Sequence, residues 1–469
     1  GATTDWDYKR ILTKDPALER RFPTVNVKEP SEQELKQVLR TVIPSLEATH
    51  AVQITEEAID EAIRLSERYF KSLSFPDKAI DLLDQAASQL KSNQALSCQD
   101  TQLAVFLKRL FQIQSQMDNP TTLDQKITET RSKLSHKVTE AMIRNIVAQK
   151  INLPLQRIEQ SEKALLNSLE EQICKKIIGQ KKAISALCLG VQRARFNIND
   201  PNRPAGVFLM CGPTGVGKTE SAKALAHTLY GTKENFLKID MSEYQKSSEI
   251  NKLIGSSVGY SGHEQGGLLT NWLKKNPLSV VLFDEIEKAS PAIFDLLLQL
   301  FDDGSLTDGN NQTVRGLDAT FIMTSNIASK EIAENQNLTE EQLRILIDKA
   351  LTTKFRPEFI GRIQETVIFY PLAADEVRQI ITLRCTELKE RVENNPNCPH
   401  LKMQWDESVV VYLAKTYCDP GKGARELAHG IQRTMGNQIA NLMVKDKIKE
   451  GDTLYFSSDG TQINIRVSS

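Results

Sequence analysis

Eight residues, Gly212-Pro-Thr-Gly-Val-Gly-Lys-Thr219, constrain the fold more than any other part of the chain. They fit the pattern G-x-x-x-x-G-K-[ST], a loop whose backbone N–H groups turn inward onto phosphate oxygens. Glycine is needed there because a Cβ would block that approach. Lys218 supplies a point charge for β- and γ-phosphates, and the Thr219 hydroxyl can ligate Mg²⁺. Such a loop belongs between a buried strand and a helix. Gly206–Cys211 predicts the strand, and Lys218 to Tyr230 predicts the helix, closed by Gly231. A second apolar run, Leu278–Phe283, leads directly into Asp284-Glu285, the acidic partner that a nucleotide-bound Mg²⁺ requires. Asn235–Asp240 and Ala319–Asn326 read as two further strands. The alternation of strands and helices from Val138 to Tyr370 predicts an α/β fold with a parallel sheet.

At 469 residues the chain is long enough for several domains, and its 40% apolar and 25% charged content is that of a soluble globular protein. The net charge of −1, from 59 basic and 60 acidic residues, argues against a general electrostatic grip on nucleic acid. The one tight basic cluster near the loop, Lys175, Lys176, Lys181 and Lys182, reads as a solvated helix face. Seven cysteines without a C-x-x-C pair indicate free thiols in a reducing compartment, and Cys398-Pro-His400 is too isolated for a metal site. No apolar run reaches the length of a membrane span and no signal peptide is visible, so a cytoplasmic protein without a membrane partner is expected. The chain opens on Gly1 rather than Met, which suggests a piece of a longer one.

Residues 1–30 read as the end of a domain that began earlier, and residues 31–91 as a helical domain. Ser31-Glu-Gln-Glu34 has the residue types of a capping box, and Pro76 opens the helix running to Asp84 and beyond. In residues 92–136, Leu103, Phe106, Leu107, Leu110, Phe111 and Met117 form one helical stripe. Asp118 to Thr122 breaks it, and Leu123, Ile127, Leu134 and Val138 follow at heptad-like spacing. This helical hairpin either projects from the body or packs into a core. Residues 137–370 carry the sheet and the loop, and residues 371–469 read as a helical domain with a short β-like tail.

These residues together resemble the Clp ATPases of the AAA+ class, ring-forming ATP-driven protein unfoldases with two ATPase modules per chain. The resemblance implies a complete second module over about 140–469 and the end of a first over 1–91, whose own phosphate loop would precede Gly1. It implies ATP and Mg²⁺ at Gly212, Pro213, Thr214, Gly215, Val216, Gly217, Lys218 and Thr219, with Asp284 in the Mg²⁺ shell. Glu285 would polarise the attacking water, and Asn326 would help position it. Ile178, in Ile178-Gly-Gln180, would line the adenine pocket. Arg425 would reach the nucleotide of its own subunit, and Arg362 that of a neighbour, with Arg356 the nearest competitor. Arg20 and Arg21 resemble the finger pair of the first module. Tyr260, in Gly259-Tyr-Ser-Gly262, would grip an extended polypeptide in the central pore.

The same likeness implies a homo-oligomer, in all expectation a hexamer, that acts on unfolded or aggregated proteins, with a chaperone or adaptor at the middle hairpin. The chain departs from the family pattern at Ser257, Val258, Ser261 and His263 around the pore tyrosine, at Gly361 and Gln364 around the finger, and at Glu426. It also has no glycine from Leu317 to Ile360, where relatives that feed the ClpP peptidase carry a docking tripeptide. A disaggregase is therefore expected over a peptidase-linked unfoldase, although the hairpin of about 45 residues is closer in size to that of ClpC than to the long ClpB rod. Two other classes compete: a nucleic-acid-directed AAA+ motor, and an assembly platform that binds ATP without turning it over. Intact Lys218, Asp284 and Glu285 speak against the second.

Overall fold

The structure, a computed structural model, describes residue 25 and residues 27–468, apart from 71–72, 94–97, 115–120, 160–161, 197–199, 201–202, 233, 257–265, 310–311, 336–337, 396–400, 419–423, 425, 446 and 450. Arg20, Arg21, Met117, Tyr260, Cys398 and Arg425 thus lie outside the described residues. The chain divides into two compact units after Val147.

The first unit begins with α1 (Glu32–His50), whose start carries the expected capping box: Glu34 accepts from the Ser31 N–H at 2.8 Å, and the Ser31 hydroxyl accepts from the Glu34 N–H. Leu35, Leu39 and Ile43 are buried at four-residue spacing, and Glu47 continues the same stripe at 0% exposure. β1 (Gln53–Ile54), α2 (Glu56–Tyr69) and α3 (Asp77–Asn93) follow. The hairpin of α4 (Cys98–Gln114) and α5 (Thr121–Ser132) leads into β2 (Lys137–Val138), which pairs in parallel with β1. Of the two placements open for the hairpin, packing is the one found. Leu107, Leu110 and Ile127 are buried together against Ala48 of α1 and Phe111, while Phe106 on the far side is half exposed.

A buried ion pair ties the hairpin down. Arg131 of α5 donates to Glu47 at 2.8 Å and to the Ile54 carbonyl at 2.9 Å, and Glu47 also accepts from the Ile54 N–H at 2.6 Å. Burial pushes the Glu47 carboxyl above its ordinary range, against the opposing pull of Arg131. Removing the cation leaves a buried carboxylate alone, so Arg131→Met is expected to destabilise this unit by about 3 kcal/mol at neutral pH. An acid whose folded pKa is raised is best tolerated where it is protonated, and its penalty grows as pH rises through that pKa. The deficit measured by urea denaturation should therefore shrink as pH is lowered from 7 towards 5; a deficit that grows over that range would contradict the assignment.

In the second unit, α6 (Glu162–Cys174) and α7 (Lys181–Arg195) precede the sheet, so the described residues from Glu140 to Phe196 are helices and their connections rather than the strand–helix alternation expected from Val138 onward. Apolar runs of this length suit a buried helix as well as a strand. The sheet itself comprises β3 (Gly206–Cys211), β4 (Phe236–Asp240), β5 (Val280–Asp284), β6 (Thr320–Ser325) and β7 (Glu365–Ile368), all parallel in the order β4-β5-β6-β3-β7. Every residue of β3 and β6 is buried, as expected of central strands covered on both faces. α8 (Lys218–Tyr230) ends on Gly231, whose φ of +76° closes it with an N–H bond to His227. α9 (Pro291–Asp303) opens with proline at its first position and packs Phe301 between Phe321 of β6 and Phe359.

Beyond Tyr370, α10 (Ala374–Glu393) and α11 (Glu407–Tyr417) pack through Ile381, Cys385, Val409 and Leu413 onto a three-stranded sheet. This sheet holds the expected tail as β9 (Thr453–Ser458) and β10 (Ile463–Ser468), plus β8 (Lys402–Trp405), which the helical reading missed. Leu401, Met403 and Trp405 alternate with polar residues over too short a span to declare a strand. Among the described residues no helix is long and apolar enough to cross a membrane.

Candidate nucleotide-binding site

Register brings the predicted residues to one edge of the sheet. Cys211 at the end of β3 pairs with Ser325 at the end of β6, so Gly212 and Asn326 leave adjacent strands side by side. Phe283 pairs with Met323, which sets Asp284 beside Thr324. This carboxyl edge is where open parallel sheets hold ligands.

The loop needs its glycines. A Cβ on Gly212 would lie 2.4 Å from the Phe369 carbonyl oxygen, and Gly215 and Gly217 adopt φ of +77° and +104°. Lys218 is 8% exposed, and its ammonium donates to the carbonyls of Gly212 and Pro213 and, at 2.9 Å, to Oδ1 of Asn326. Burial pulls its pKa down to about 8, opposed by the negative fields of Glu287, Asp284 and Glu285 among others. The side chain therefore remains a cation at neutral pH.

Asp284 is held from both sides, by the Thr324 hydroxyl on Oδ1 and by Lys238 on Oδ2 at 2.7 Å. Glu285 turns the chain out of the strand with φ +56° and ψ +52°, a left-handed conformation rare for a residue with a side chain. Its N–H donates to the Thr324 hydroxyl at 3.0 Å, and its carboxylate meets the Lys288 ammonium. Lys238, Thr324 and Glu287 were not singled out by sequence; the first two lie within strands, where only cross-strand register reveals the partner.

Ile178 is half-buried, and its neighbour Ile177 lies against Gly217. Gln180, in the Ile178-Gly-Gln180 segment, fixes backbone: it donates to the Tyr370 carbonyl at 2.8 Å and accepts from the Tyr370 N–H at 3.2 Å. The Ala424 N–H donates to the Gly215 carbonyl at 3.0 Å, so the residue before Arg425 touches the loop.

Arg362 is not brought to this edge. Its guanidinium pairs with Asp302, and the Gln364 N–H bonds the Val207 carbonyl near the start of β3. The rise of a strand puts that point roughly 15 Å from the loop that follows Cys211. Arg356 pairs with Asp295 on the surface at 3.0 Å. Gly361 has an ordinary φ of −64° with room for a Cβ, so its departure from the family pattern is not forced by the backbone.

The described residues on either side of the Tyr260 segment approach each other closely. A Cβ on Gly267 would lie 2.2 Å from the Leu253 carbonyl oxygen, and the Gly309 N–H bonds the Ile254 carbonyl at 3.0 Å.

Comparison with known proteins agrees with this arrangement. Residues 203–366 match the AAA domain (Cdc48 subfamily), residues 31–142 an AAA lid domain, and residues 372–456 the C-terminal D2-small domain of ClpB protein. The whole chain is 34% identical to ClpC, the ATP-binding subunit of the ATP-dependent Clp protease, of Staphylococcus aureus. Over 98% of its length it is 33% identical to ClpC of Staphylococcus epidermidis. It spans 60% of each of these relatives. Among solved structures it is similar to Hsp104 in a closed-state cryo-EM reconstruction with ATPγS and FITC casein, with a TM-score of 0.69 and 31% identity, covering all of this chain and 73% of that one. A lid, a phosphate-loop domain and a D2-small domain thus follow one another in the family's order, and the chain belongs to the Clp/Hsp100 family of AAA+ ATPases.

Proposed function

We propose that this chain is part of an ATP-driven protein unfoldase of the cytoplasm, a disaggregase whose hexameric ring threads polypeptide through a central pore. The observation that carries the reading is the convergence of Lys218, Asp284, Glu285 and Asn326 on one sheet edge beside a glycine loop. The proposed domains are 1–30 as the end of the first module's large part, 31–91 as its lid, 92–136 as the middle hairpin, 137–370 as the large and 371–469 as the small part of the second module.

In this reading the backbone of Gly212, Pro213, Thr214, Gly215, Val216 and Gly217 cradles the phosphates of ATP, and Ile178 lines the adenine. Lys218, whose ammonium is held at the loop by the Gly212 and Pro213 carbonyls and Asn326, would exchange one or more of these acceptors for the β- and γ-oxygens. The Thr219 hydroxyl and the Asp284 carboxylate are hard oxygen donors suited to Mg²⁺, which when bound would neutralise charge on the phosphates. Glu285 takes the proton of the attacking water, and the Asn326 amide orients that water. Arg425 reaches the nucleotide of its own subunit, and Arg362 that of a neighbour.

Tyr260 couples this cycle to the threaded chain. Tyr260→Ala is expected to keep ATP turnover near wild type and to lose unfolding of a folded, fluorescent substrate. Normal unfolding by that variant would reject the grip. The ClpC likeness favours a second reading, an unfoldase that delivers chains to a ClpP-type peptidase; the glycine-free stretch from Leu317 to Ile360 weighs against it.

A further inference from the structure

We infer that Glu287 is a positioning residue for hydrolysis, acting through Asn326; this rests on the ATPase reading above. Asn326 carries the amide assigned to the attacking water, and three groups fix its orientation. Its side-chain Oδ1 accepts from Lys218 at 2.9 Å. Its carbonyl accepts from the Ser329 hydroxyl, which also bonds the Gly212 carbonyl at 3.0 Å. Its N–H donates to Oε1 of Glu287 at 3.1 Å. The peptide is thus held at both ends, and Glu287 is the only one of the three holders that is an acid.

Glu287 reaches this spot because of the left-handed turn at Glu285. The turn ends β5 and starts a 3₁₀ turn over Ile286–Lys288, which carries the third carboxylate of Asp284-Glu-Ile-Glu287 back towards the end of β6. A continued strand would have carried it past β6. The other oxygen of Glu287, Oε2, is buried with no hydrogen-bond partner among the described residues. A carboxylate kept half-unsatisfied in a protein interior is costly, and it is retained here with its bonded oxygen on the Asn326 N–H. The negative field of Glu287 also falls on Lys218, which bonds the same Asn326.

The test is a set of four variants of the full-length protein: Glu287→Ala, Glu287→Gln, Asn326→Ala and the Glu287→Ala/Asn326→Ala double variant. ATP turnover and binding of a fluorescent ATP analogue are measured on each. Loss of one hydrogen bond to a charged acceptor predicts a fall in kcat of about 10- to 100-fold for Glu287→Ala. Analogue binding should stay close to wild type, and Glu287→Gln, which keeps an acceptor oxygen, should recover most of the rate. Because Glu287 acts through Asn326, the double variant should be no slower than Asn326→Ala alone. Additive losses, or loss of analogue binding equal to the loss of rate, would overturn the positioning role. Wild-type turnover in Glu287→Ala would do the same while leaving the ATPase reading intact. Absence of turnover in the wild-type protein would sink both.

Discussion

Glu285→Gln is expected to lower ATP turnover by about 100-fold or more, the range of a lost general base, while ATP binding is retained. The structure explains why the loss should be selective. The backbone at Glu285 is anchored by its N–H bond to the Thr324 hydroxyl, and that bond does not depend on the side chain. Asp284 keeps Thr324 and Lys238, and Lys218 keeps its three acceptors. Gln has the shape of Glu but cannot take a proton from water. Binding measured with a fluorescent ATP analogue and turnover measured by phosphate release separate the two effects. Turnover that survives the substitution would remove Glu285 from the reaction as its general base.

Arg362→Ala should cost about 10³-fold in turnover within the oligomer, the scale of a lost arginine finger, with little change in subunit stability. Its partner Asp302 is, like Arg362, about one-third exposed, so their ion pair contributes little to folding. The position of Arg362 near the start of β3, far from its own loop, suits the proposed action on a neighbouring subunit. A mixing experiment tests this. Arg362→Ala subunits retain an intact loop, and Lys218→Ala subunits retain an intact finger. Each variant alone should be inactive, and mixed rings should regain turnover at interfaces that join a good loop to a good finger. No recovery on mixing, with mixed rings verified, would place the action of Arg362 within its own subunit.

Much of the site could be read from sequence because its chemistry is local. The loop, the strand before it and the helix after it are contiguous, and Asp284-Glu285 sits at the end of an apolar run. Strand ends were legible to within about two residues, the ordinary uncertainty of such boundaries. What could not be read is set by contacts between distant segments. Glu47 looks like a solvent-facing helix residue until Arg131, far along the chain, is seen to cover it. Gln180 looks like part of a ligand-lining segment until its amide is seen on the Tyr370 backbone. Glu287 follows two acids already assigned, and only the left-handed turn at Glu285 shows where it points. The hairpin pattern was compatible with projection or packing, because an apolar stripe declares a buried face without naming what buries it.

ATP hydrolysis at this site is proposed to drive unfolding of a protein substrate. The most direct measurement follows a labelled, folded substrate with the full-length protein and ATP, with and without a ClpP-type peptidase. The account predicts ATP-dependent unfolding that needs Glu285 and leaves the substrate intact in the presence of the peptidase. ATP hydrolysis without any unfolding would contradict the account. ATP-dependent release of labelled fragments would keep the motor and replace disaggregation with delivery to the peptidase.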